Sequence, residues 1–277
     1  MRPKHVELVA KTVIWTLSTL VVLLLLFIMS FILYKGLPSI TWEFLSENPS
    51  NMGRDGGILS TIVSTLMVTA VALLVATPFG VGTAFYLTEF TRESKITKII
   101  RFSAESLAAI PSIVYGLFGF IFFVIYLQLG WSVLSGGLTM AVMILPTIIR
   151  TSEEAIRSVP VQYREVSYSL GGTKWQTIVG TIIPSAIPGI ATGIVLSIGR
   201  CVAETAAVIL TAGSSLRMPT SIFSPARTMA VHFYILAREG LSTDRAYGTA
   251  SLLILIILFI NIGANMIVNK FVANNAK

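Results

Sequence analysis

One cysteine, two histidines and thirteen acidic residues in a chain of 277 leave little of the polar chemistry from which enzymes build their sites. The cysteine, Cys201, lies inside an apolar run, which excludes a disulfide and a Cys/His metal cluster. His5 and His232 are too scattered to form a metal pair. There is no Gly-x-x-x-x-Gly-Lys-Ser/Thr stretch, so the chain has no phosphate-cradling loop of its own, and any ATP that drives it is bound by another subunit. A membrane-embedded enzyme lacks both a nucleophile–base cluster and a metal-ligand cluster here. Charged residues make up 12% of the chain, against roughly 25% in soluble domains.

What is present is apolar: 54% of residues are hydrophobic, which marks an integral membrane protein. The net charge of +7 does not point to nucleic acid, because Lys and Arg flank apolar runs and report topology instead. Arg2, Lys4 and Lys11 precede an apolar run over 13–34, long enough at 1.5 Å per residue to cross a core of about 30 Å. It lacks a small-residue cleavage site and is expected to be a retained anchor. Residues 35–57 hold Pro38, Pro49, Gly53 and Gly56-Gly57 and read as an exterior loop. A second span over 58–87, interrupted by Pro78, Gly80 and Gly82, ends before Arg92, Lys95, Lys98 and Arg101, a cytoplasmic basic cluster.

A third span, 102–129, is interrupted by Pro111 and carries Glu105 near its cytoplasmic start, where interfacial water still reaches it. A fourth, 132–149, returns the chain to the cytoplasm at Arg150. The fifth runs over 182–213, and a sixth over 246–268 ends in Lys270 and Lys277. Between these last two, 214–245 reads as long and amphipathic, with a turn at 220–225. Counted by side, thirteen Lys and Arg fall in the cytoplasm and six outside, with Arg200 inside a span. The expectation is an all-α membrane protein of one domain, 1–277, with six transmembrane helices and both termini cytoplasmic.

The polar interval 158–184 breaks the apolar pattern. Pro160 suits a first helical turn, Gly171 and Gly172 end that helix, and Thr173 with Gln176 forms a capping box that starts the next. Two short helices are therefore expected in the cytoplasmic loop between spans four and five. Its charges, Arg157, Arg164, Glu165 and Lys174, exclude it from hydrocarbon. Tyr163, Val166, Leu170 and Trp175 give it apolar faces that need a cover, supplied by a partner surface or by lipid.

Within the fifth span, Gly189, Gly193 and Ser197 form a stripe of small residues that lets another helix approach. Arg200 and Glu204 follow, four apart. A buried Arg requires a partner or a wet path. Two readings stand: a structural ion pair on one helix face, or an anion pathway in which the planar donors of Arg200 meet an oxyanion and Glu204 positions them.

Glu165, then Gly171, then Ile183-Pro184, resembles the Glu-Ala-Ala loop of ABC importer permeases, with Val166, Ser167, Thr181 and Ile183 departing from the usual form. Residues 104–119, Gly199 to Ala207, Thr211-Ala-Gly-Ser and Ala246 to Ala250 are similar to the phosphate-specific members, in particular their A-type subunit. The resemblance implies half of a heterodimeric pore with a second permease subunit and no cofactor in this chain. It also implies that the two short helices are coupling helices, and that ATPase subunits, which bind ATP and Mg, dock on Tyr163, Glu165, Leu170, Gly171, Gly172, Trp175 and Pro184. Outside, it implies a phosphate-binding protein, and as location a prokaryotic cytoplasmic (inner) membrane. A proton-coupled anion carrier, or a permease for another oxyanion, remains the alternative.

Overall fold

The computed structural model describes residues 3–91 and 94–275, without the side chains of 3–6, 9 and 267–275. Arg2, Arg92 and Lys277 of the charge pattern lie outside the described residues, as do the side chains of Lys4, His5 and Lys270. The first helix, α1 (Pro3–Gly36), is paired along one side with the last, α12 (Thr243–Asn275). Ser251 donates to the Ile32 carbonyl at 2.9 Å, and Gly36 lies against the Tyr247 backbone, where a Cβ has no room. The remaining apolar faces of α1, Trp15 and Phe27 among them, are exposed, as a lipid-facing helix requires.

The loop over 35–57 is a compact knot. A short helix, α2 (Trp42–Ser46), is capped by the Thr41 hydroxyl, and β1 (Pro49–Ser50) pairs antiparallel with β2 (Asp55–Gly56). The turn between the strands runs through three left-handed residues, Asn51, Met52 and Gly53.

The core is a trio of helices. α3 (Leu59–Phe85), prolonged by a wider turn over Tyr86–Phe90, packs on α6 (Val133–Ser158) where Gly80 meets Ile148 and Gly137 meets Val71. α9 (Ile183–Ala203) completes it. Small residues let the backbones approach, which in a membrane replaces the hydrophobic drive between helices. The Gly189, Gly193 and Ser197 stripe lies in this seam: a Cβ on Gly189 falls 2.5 Å from that of Ala155, and one on Gly193 collides with Thr151. Ser197 is fully buried. The helix that the stripe admits is therefore α6 of the same chain.

Two expected spans are not continuous. The third is α4 (Lys95–Ala108) followed by α5 (Ser112–Gly119, carried on to Tyr126 by a wider turn), bent by 100°. Pro111 cannot donate the next helical hydrogen bond, and the Tyr115 hydroxyl staples the corner by donating to the Leu107 carbonyl at 2.7 Å. The fifth breaks at Glu204 and Thr205, between α9 and the six-residue α10 (Ala206–Thr211). Among the described residues five helices are long and apolar enough to cross a membrane, six with the bent pair counted as one crossing. In the interval 214–245 the turn is found, Ser224 donating to Ser221 at 3.0 Å, but among its helical residues only α11 (Met229–Arg238) precedes the start of α12.

Candidate translocation and coupling sites

The polar interval folds as its sequence grammar dictates. α7 (Val161–Ser169) follows Pro160, which sits at the cap position, one place before the first turn. Gly171 ends the helix at φ +81, and Gly172 has no room for a Cβ beside the Ser167 carbonyl. Thr173 and Gln176 form both halves of the capping box of α8 (Lys174–Thr177). Pro184 opens α9. No residue of α7 is buried; Leu170 is 84% exposed and Trp175 66%, with Tyr163, Val166 and Glu165 also outward. An apolar surface of this kind on a polar loop is one that a partner surface or lipid would cover.

One residue of α7 turns the other way. Arg164 Nη2 lies 2.7 Å from Glu89 Oε1, and the same guanidinium donates to the carbonyls of Val159 (2.9 Å) and Ile156 (3.2 Å). Lys174 sits over the Phe90 ring at 5.0 Å, and the Ser167 and Thr177 hydroxyls meet at 2.8 Å. Sequence reasoning passed over Glu89, because a lone carboxylate at a span end reads as solvated.

At the fifth span the break changes the chemistry. Arg200 is in the last turn of α9, where a cation suits the negative end of the helix dipole. Glu204 has left the helix (ψ 132), and its Oε1 accepts from the Ala207 N–H in the first turn of α10 at 3.3 Å. The shared face that an ion pair needs does not form, and no Arg200–Glu204 bridge occurs among the described residues. A helix broken within a membrane segment exposes backbone ends, and these are tolerated where they line a cavity or are buried in protein.

α4 and α6 border an open cavity of about 490 Å³ whose lining includes Arg101, Glu105, Arg150, Glu153, Glu154 and Arg157. Glu153 Oε1 lies between Arg101 (2.8 Å) and Arg157 (2.9 Å), while Arg150 meets Glu154 at 3.0 Å. Glu105 thus lines a charged vestibule; the spacing of 150, 153, 154 and 157 on one helix face was the signal that reveals it.

Arg227 (4% exposed) and His232 are both buried, and the His232 ring lies against Gly53 of the turn between β1 and β2. Arg227 Nε and Nη2 and both His232 ring nitrogens have no hydrogen-bond partner. Desolvation lowers Arg227 to about 10, and desolvation with the nearby Arg227 charge pushes His232 down to about 3.

The family model described as the binding-protein-dependent transport system inner membrane component matches residues 76–274, which hold both the polar interval 158–184 and the broken span. The chain belongs to this family. As such an inner membrane component it is a multi-pass ABC importer permease. It is 33% identical to the probable ABC transporter permease protein YqgI of Bacillus subtilis, covering 93% of this chain and 94% of that one. It is 34% identical to the phosphate transport system permease protein PstA of Pasteurella multocida, covering 95% of each. In fold, it matches a bacterial ABC transporter involved in the import of the acidic polysaccharide alginate (TM-score 0.67, 17% identity, 96% of each chain). The MetNI methionine ABC transporter in an inward-facing form matches at TM-score 0.61 and 18% identity, over 78% of this chain and 94% of that one.

Proposed function

We propose that this permease imports inorganic phosphate, as one half of a heterodimeric pore driven by ATP. The observation that carries the substrate is the similarity, at 34% identity over 95% of both chains, to a permease called a phosphate transport system protein. The chain is a single transmembrane domain, 1–277, of six crossings with both termini in the cytoplasm of a prokaryotic cell. Segment 158–184 is the cytoplasmic coupling loop on which ATPase subunits, holding ATP and Mg, dock through Tyr163, Glu165, Leu170 and Trp175. A phosphate-binding protein delivers the anion outside. Arg200 meets it at the broken span, its charge without a carboxylate partner among the described residues, and Glu204 accepts from the first turn of α10. The permease itself performs no chemistry; hydrolysis occurs in the partner subunits.

The test is phosphate uptake by proteoliposomes containing this chain, the second permease and the ATPase subunits, with the binding protein added outside. Uptake is expected to need ATP, to survive collapse of the proton gradient, and to resist competition by sulfate. Uptake that proceeds without the ATPase subunits overturns the reading in favour of a proton-coupled carrier.

A further inference from the structure

A docking loop does work only if its displacement reaches the spans, and α7 is poorly fastened for that purpose. It buries no residue, so packing alone would let it swing on its linkers when pushed. The inward-turned Arg164 is the exception. Its guanidinium gathers the Glu89 carboxylate, in the turn that prolongs α3, and the carbonyls of Ile156 and Val159, at the end of α6. Both carbonyls lie at the C-terminal end of α6, where a cation meets the favourable end of the helix dipole; Ile156 also accepts the Val159 N–H at 3.4 Å, so Arg164 adds to its bonding. The side chains are 19% and 8% exposed, so water competes less for this contact than for a surface pair.

We infer that the Arg164–Glu89 pair is the positioning contact that delivers coupling-helix movement to α3, a role that rests on the importer reading above. One planar cation joins the loop to the two helices that pack together most extensively in the core. A displacement of α7 therefore moves the cytoplasmic ends of α3 and α6 together instead of being absorbed in the linkers. The task demands Arg: three acceptors in different directions match a rigid fork of donors, which the ammonium of Lys does not reproduce. Glu89 lies outside the exposed docking face, so its alteration leaves that face intact.

The experiment uses the reconstituted complex and reads phosphate imported per ATP hydrolysed. In Glu89→Ala and in Arg164→Ala the complex is expected to assemble and hydrolyse ATP normally, while import falls about tenfold, within the range of typical coupling energies. Arg164→Lys should recover only part of it. Unchanged stoichiometry, or import and hydrolysis falling in proportion, overturns the inference and leaves a merely structural ion pair. A second arm guards against misassembly: Glu89→Cys with Arg164→Cys in a Cys201→Ser chain, joined by a short reducible thiol cross-linker. Import should return on cross-linking and be lost again on reduction; a cross-linked complex no better than the reduced one sinks the latch. A wild-type complex that imports no phosphate counts against the substrate, whereas a coupled variant beside an importing wild type counts against the latch.

Discussion

Arg200 and Glu204 stand four residues apart and yet belong to different elements, because α9 ends at Ala203 and the Glu204 carboxylate is spent on the Ala207 N–H. Removing the positive charge therefore strands no carboxylate.

Arg200→Gln is expected to abolish phosphate uptake while the complex assembles and hydrolyses ATP. Glu204→Gln should be milder, since an amide oxygen still accepts from the Ala207 N–H, while Glu204→Ala should lose about 0.5–1.5 kcal/mol of local stability with that hydrogen bond. Uptake and protein yield measured together decide it. Degraded Arg200→Gln protein that is rescued by adding Glu204→Gln would mean an ion pair after all.

Gly193→Leu is expected to damage this chain before it reaches any partner, because the new side chain collides with Thr151 in the α6 seam. Overpacking of this kind costs about 1–3 kcal/mol. The thermal midpoint of the separately purified chain should fall, and Thr151→Ala should restore part of it. A normal midpoint with failed heterodimer formation would return the stripe to an intersubunit role.

The exposed coupling face gives a third expectation. Leu170→Asp and Trp175→Ala should leave insertion and folding intact, since both side chains face outward, and should weaken co-purification of the ATPase subunits. Gly171→Pro should do the same by distorting the left-handed elbow at φ +81. Full co-purification of all three variants would mean that the loop is covered by lipid.

His232 predicts an acid sensitivity. Its folded pKa, about 3, lies below the roughly 6.5 of an unfolded histidine. Below about pH 6.5 the unfolded chain takes up a proton that the folded chain refuses, so stability is complete above that pH and declines as pH falls towards 3, by at most about 1.4 kcal/mol per pH unit. Thermal midpoints at neutral pH and near pH 5 should differ for the wild type and converge in His232→Phe. An equal acid loss in the variant would assign the sensitivity elsewhere.

Local rules were legible in the residues themselves. Apolar length set the long helices, the basic clusters set the expected sidedness, and Gly171, Thr173 and Gln176 wrote the elbow and capping box at their observed places, because caps and left-handed turns depend on a few neighbouring atoms. The partners of the small-residue stripe, the 100° corner at Pro111 and the break after Ala203 were decided only by the tertiary structure. Proline and glycine state where a helix can bend, but the angle comes from what packs against both halves, as Tyr115 does across its corner. The same holds for charge. Spacing of four proposed Arg200 with Glu204, while the chain path brought Arg164 to Glu89, 75 positions away, because such pairs are made by the convergence of helix ends that no local pattern records.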